Sequence, residues 1–217
     1  MKPQYRSAWA IFALTTIVGL YAYFQVSPDA QIPIHWNGEG EVDGYGSPVV
    51  GFFMMPFMQL VVLAIFGSLK FLEPRAKNLE TSRKAIHAVA TSVTALLFVV
   101  QLVIVDQVFG FGFIGIKAMF VGVGVMLMIM GNYFGKLKSS FFIGIRTPWT
   151  LSSETVWQKT HRMGGKLFVA AGFILALSAL VLDSELMPFV IVATALPASL
   201  IPVAYSWYLW HKERHKV

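Results

Sequence analysis

The sequence predicts an all-α integral membrane protein with six transmembrane helices and both termini on the cytoplasmic side. Three observations predict it. Of the 217 residues, 56% are hydrophobic and only 13% are charged, against about 25% charged in a typical soluble domain. The apolar residues come in six blocks, each near the roughly 20 residues a helix needs to cross about 30 Å of hydrocarbon. And 16 of the 17 lysines and arginines fall on one side once the blocks are numbered as spans. Lysine and arginine mark the cytoplasmic side of a membrane. That side carries a net +12 and the other −6. A five- or seven-span reading would scramble the alternation.

The first run, residues 8–26, follows Lys2 and Arg6 as a signal peptide would. It has no small-x-small cleavage site, so it reads as a retained span. Residues 27–48, "SPDAQIPIHWNGEGEVDGYGSP", form the one long outer segment. Its glycines, prolines and acids exclude a regular helix and predict several turns, with His35 and Trp36 in a short structured element at the membrane surface. His35 with Glu39, Glu41 and Asp43 invites a metal reading, but the spacing matches no known metal loop. A solvated acidic loop is the reading preferred, and no metal or other cofactor is expected.

The second run, 49–72, contains Pro56, and the sixth, 187–210, contains Pro197 and Pro202. Each proline breaks a backbone hydrogen bond and frees a carbonyl near Phe52, Ala193 or Ala198. The third run, 85–105, starts beside His87 and ends at Asp106. The fourth, 113–133, has Lys117 about one turn inside, placed to snorkel outward and pair with Asp106; a ligand-facing cation is the alternative. Gln59 and Gln101 are mid-span amides and read as interhelical glue. Small residues four apart, Ala118/Gly122, Gly131/Gly135 and Gly172/Ala176, predict close helix approach. With so few ionisable groups in the spans, ion-coupled transport has little support.

The inner loop, 131–165, is the densest in chemistry: "GNYFGKLKSSFFIGIRTPWTLSSETVWQKTHRMGG". Phe141, Phe142, Ile143 and Ile145 predict a segment lying in the interface. Pro148 forces Thr147 out of helix. Ser152 or Ser153 caps a short amphipathic helix over 153–162, with Glu154 in its first turn. Gly164 and Gly165 end that helix or bend it into the fifth span, 167–182. Trp157 and His161 share one face of it, and Arg146 reaches Glu154 or a lipid phosphate. No motif of a hydrolase, metalloprotease or nucleotide-binding enzyme occurs, and no cysteine is present.

The runs "GIRTPWTLSS" and "VWQKTHRMGG" resemble the signature segment of the SdpI family of bacterial membrane immunity proteins. The outer "IPIHWNGEGEVDGYGS" followed by "FFMMP" is similar to a P-x-H-x-N-x-x-G-x-x-D domain of unknown function often fused in front of it. Pro33, His35, Asn37, Gly40 and Asp43 supply its positions. The resemblance implies an N-terminal two-span unit, 1–72, and an SdpI-like four-span region, 73–217. It also implies a non-enzymatic, multi-pass protein of the bacterial cytoplasmic membrane that gives immunity to a secreted membrane-active peptide toxin. A link to signalling is implied as well, through a cytosolic regulator held at the inner loop. The site residues expected are therefore Arg146, Thr147, Pro148, Trp149, Trp157, His161 and Arg162 inside, with the five motif residues outside. The partners expected are a peptide toxin at the outer face, a cytosolic regulator at the inner loop and membrane lipid; nucleic acid is not among them. The alternatives are a receptor that sequesters a transcriptional regulator and a small transporter.

Overall fold

The computed structural model describes residues 5–215; Lys2 and Lys216, counted above on the cytoplasmic side, lie outside them. In chain order the elements are α1 Arg6–Gln25, β1 Ile32–Trp36, β2 Val42–Gly46, α2 Pro48–Leu72, α3 Ala76–Thr81, α4 Arg83–Phe109, α5 Lys117–Phe134, α6 Pro148–Ser152, α7 Glu154–Val181 and α8 Met187–Arg214. A 3₁₀ turn, Ser184–Leu186, leads into α8. Six of the helices (α1, α2, α4, α5, α7 and α8) are long and apolar enough to cross a membrane. The protein is a six-span helical membrane protein.

Contacts between loops show that the spans alternate. At one end Tyr5 Oη donates to Phe66 O (3.1 Å), Arg75 Nη2 to Leu151 O (3.4 Å) and Ser153 Oγ to Glu213 Oε2 (2.9 Å). The start of α1, the loop around α3, the loop around α6 and the end of α8 therefore meet there. At the opposite end Trp36 Nε1 donates to Gln107 Oε1 (2.9 Å), and Gly40 lies against Ser184.

The helices form two groups of three, α1/α2/α4 and α5/α7/α8, joined where α4 packs on α5. They are held by different means. In the first group the buried Gln59 amide donates to Thr15 Oγ1 and to Thr94 O, both at 2.9 Å, tying three helices together in a region without water. Pro56 leaves the Phe52 carbonyl without its helical donor. Gly19 of α1 packs on that oxygen so closely that a Cβ there would sit 2.5 Å from it. In the second group the backbones touch. A Cβ on Gly131 would lie 2.5 Å from Gly165 O, and one on Gly124 would lie 2.6 Å from Gly172 O. Such contacts replace the hydrophobic drive that lipid removes.

Several expectations are corrected. There is no separate amphipathic helix over 153–162: Ser153 does cap a helix, accepting Val156 N at 3.2 Å, but that helix runs unbroken to Val181. Gly164 and Gly165 do not end it. Gly165 provides the crossing with α5, and a Cβ on Gly164 would meet Ile145 Cδ1 at 2.7 Å. The helix that carries the fifth span thus begins well before residue 167. Lys117 does not pair with Asp106. Its Nζ donates to Leu182 O (2.8 Å), just past the end of α7, while Asp106 Oδ1 accepts Phe113 N (2.9 Å). Of the small residues proposed for close approach, Gly131, Gly172 and Ala176 serve it between α5 and α7 and Gly122 packs tightly on Leu96 of α4, whereas Gly135 faces Arg162. The outer segment, read as turns, holds a bulged antiparallel hairpin of two short strands, which sits on an otherwise helical protein.

Candidate functional site

The two motif segments sit at opposite ends of the bundle and build two separate sites. At the inner end Thr147 closes a reciprocal cap on α6: its Oγ1 accepts Thr150 N (3.1 Å), and Thr150 Oγ1 accepts Thr147 N (2.9 Å). Pro148 occupies the first helical position, where no N–H is needed. The Thr147 hydroxyl also meets Ser206 Oγ of α8 at 3.0 Å.

Trp157 and His161, one turn apart on α7, are stacked with ring centroids 4.0 Å apart, and both are fully buried. Trp157 Nε1 donates to Leu137 O (2.8 Å). The His161 Nδ1–H donates to Trp157 O (2.8 Å), and Nε2 accepts Ile145 N (2.8 Å). Only the neutral imidazole protonated on Nδ1 satisfies both bonds. Gly144 has a φ of +110° and passes over the two rings, where a Cβ would lie 2.5 Å from His161 Nε2. The expected aromatic-basic docking face is thus turned inward. What remains exposed is Arg146, whose Nη1 donates to Phe141 O (2.5 Å) rather than to Glu154, together with Arg162. Trp149 is half-buried.

A second inner loop clasps the first. The Glu73 carboxylate, buried just past the end of α2, accepts Ser140 Oγ (2.5 Å), Phe141 N (3.0 Å) and Arg75 N (3.0 Å). Burial pushes this carboxyl up, but the Ser140 hydroxyl and the Arg75 and Phe141 amides outweigh it and hold it below the usual carboxylate range. Arg75 donates to Ser139 Oγ and lies 4.5 Å over the Phe141 ring. Asn78 Nδ2 donates to Ser139 O (2.8 Å) and Lys138 N to Ser82 Oγ (2.9 Å).

At the outer end every motif residue builds the hairpin. Pro33 is buried and pairs with Tyr45; His35 lies opposite Gly44. A side chain at Gly44 would collide with His35, since a Cβ would sit 2.8 Å from its Cβ. His35 Nδ1 meets Asp43 Oδ1 at 2.5 Å on the exposed face. Asn37 Oδ1 accepts Glu39 N (3.0 Å) and Glu41 N (2.9 Å), so its side chain moulds the turn. Gly40 holds the left-handed position there, with φ +86°. The hairpin roofs a cleft of about 530 Å³ between itself, α4, α5 and α8. Ile34 and Trp36 line it from above, and Val100, Phe120, Ile191 and Val192 line it below.

Residues 136–206 match the SdpI/YfhL protein family and residues 10–60 match a domain of unknown function, DUF1648. The chain carries an SdpI-family region behind a DUF1648 region. It is 28% identical over 209 residues to the immunity protein SdpI of Bacillus subtilis (strain 168), covering 92% of this chain and 90% of that protein. No solved structure matches the chain significantly.

The SdpI-family region thus comprises α6, α7, most of α8 and the loop that Glu73 grips, and the DUF1648 region comprises most of α1, the hairpin and the first half of α2. Glu73, Arg75, Asn78 and Ser82 lie in neither region, yet they hold the SdpI-family loop in place. Sequence reasoning missed them. The one signal was an acid at residue 73 directly after an apolar span on a side where basic residues predominate.

Proposed function

We propose that this multi-pass membrane protein is a non-catalytic immunity protein that protects a bacterial cell from a membrane-active peptide, which it meets at the outer cleft. The identity to a protein named for immunity, spanning nearly the whole of both chains, carries the reading. The cleft supports the point of contact. Its walls are apolar, and the hairpin beside it exposes Glu39, Glu41 and Asp43. Membrane-active peptides pair an apolar face with a lysine- and arginine-rich one, so an acidic rim beside an apolar slot fits both faces and steers the approach. The reading sets the basic end in the cytoplasm of the bacterial inner membrane. A cytosolic regulator at the inner loop is less well supported, because Trp157 and His161, which motivated it, face inward.

A killing assay tests the proposal. The wild-type chain, expressed in a sensitive bacterium, is expected to raise survival against at least one secreted membrane-active peptide. Val192→Trp, which fills the cleft from an exposed position, is expected to reduce that protection at an unchanged membrane level. Absence of protection across a peptide panel would remove the immunity reading. Full protection by Val192→Trp would move the contact away from the cleft.

A further inference from the structure

On the side of the bundle away from the hairpin, α5 and α7 leave a groove of about 670 Å³. Its floor is backbone: Gly131 and Gly165, in contact at the crossing, with Gly135 above them. Met128, Val169 and Phe173 line its deeper part. Arg162 and Lys166 stand at its mouth, one turn apart, both exposed, with Asn132 facing them from α5. The Arg162 stem crosses Gly135, where a Cβ would lie 3.4 Å from its Cγ. Neither cation pairs with a carboxylate among the described residues.

From these observations we infer that the groove binds an anionic phospholipid of the cytoplasmic leaflet, with its phosphate on Arg162 and Lys166 and one acyl chain on the glycine floor. This inference does not rest on the immunity reading. Three arguments carry it. Two unneutralised cations side by side call for an anion, and their long stems let the charges reach the interface while the helix stays in hydrocarbon. From Arg162 to Phe173 the helix rises about 16 Å at about 1.5 Å per residue, which is close to one leaflet, half of a core of about 30 Å. Lys166 is followed at once by the apolar run beginning at Leu167, so the change from charged mouth to apolar floor coincides with the change from headgroup to chain. A second copy of this chain seated on the same groove by a twofold axis would bring two such cation pairs together, and like charges at close range oppose that.

The test uses the full chain reconstituted in nanodiscs holding equal amounts of phosphatidylglycerol and phosphatidylcholine, with retained lipid counted by native mass spectrometry. The wild type is expected to retain the anionic lipid over the zwitterionic one by roughly thirtyfold, since each of the two basic side chains near a membrane surface contributes about fivefold. Arg162→Gln with Lys166→Gln is expected to bring the ratio near one. Lys136→Gln with Lys138→Gln, on the same end but off the groove, is expected to leave it unchanged. Ala170→Trp, filling the groove from an exposed position, is expected to lower retention of both lipids. Soluble glycerol phosphate in excess is expected to displace neither. A wild-type ratio near one, or an equal fall in the Lys136/Lys138 variant, would overturn the site. Displacement by glycerol phosphate, or full retention by Ala170→Trp, would reduce it to an anion contact without the chain.

Discussion

The inner clasp and the outer hairpin make opposite use of the same materials. Both are loops with dense polar motifs, and in both the motif residues fold the loop itself. Inside, Trp157, His161, Thr147 and Glu73 spend their hydrogen bonds on neighbouring backbone and on the hydroxyls of Ser140 and Ser206, and are buried. Outside, Asn37 and Gly40 shape the turn, but Glu39, Glu41 and Asp43 stay exposed beside a cleft. A family signature therefore marks structure at one end and frames an accessible surface at the other. Substitutions should separate the two: those inside should act through stability, those outside through encounter.

The largest expected effect is at Trp157. Trp157→Ala empties the centre of the inner cluster and should cost about 4 kcal/mol, seen as a lower unfolding midpoint in detergent together with loss of protection. A stable Trp157→Ala protein that loses only a cytosolic partner would break the comparison and make the inner loop a docking face.

Glu73 comes next. A buried charged acceptor of three bonds loses part of each when made neutral, so Glu73→Gln should cost about 2 kcal/mol near neutral pH. The sign of the pH dependence follows from the lowered carboxyl. Its stabilisation is complete above the ordinary carboxylate range and is lost as pH falls through the lower folded value. Thermal midpoints measured from neutral to acid pH should converge for wild type and Glu73→Gln. Parallel curves would show that the clasp does not depend on this charge.

The smallest structural effect is expected outside. Glu39→Gln with Glu41→Gln removes exposed charge and should change stability by no more than about 0.5 kcal/mol. Protection against a cationic peptide should nonetheless weaken and lose its dependence on ionic strength. A large stability loss here would show that the outer rim is structural too.

The parts of this fold that were legible in the sequence are those fixed by composition. Six apolar runs and the bias of lysine and arginine give the spans and their alternation, because hydrocarbon thickness and surface charge act residue by residue. The cap at Ser153 was legible for the same local reason, whereas at Thr147 only the departure from helix before Pro148 was legible, not its reciprocal cap on α6. The hairpin was not. "VDGYG" is poor in strand formers, and the register slips between Pro33 and His35 and again before Trp36, so no alternation shows. The continuous α7 was hidden by Gly164 and Gly165, which read as a stop in water but serve as a contact surface in a membrane. Lys117 and Asp106 look like a pair in one dimension, yet each found a backbone group nearer than the other. The Glu73 clasp joins residues 67 apart and leaves no local pattern.

The clasp also has an order of assembly written into it. Glu73 leaves the ribosome long before Ser140, and Ser153 long before Glu213, the partner it meets at 2.9 Å. Until two more spans have been inserted, the carboxylate that closes the first inner loop has nothing to hold. Until the last helix is in place, the loop it grips is not anchored to α8. Biogenesis of this protein therefore finishes at its inner face, and a chain stalled after two or three spans would present that face unlatched to whatever monitors half-built membrane proteins.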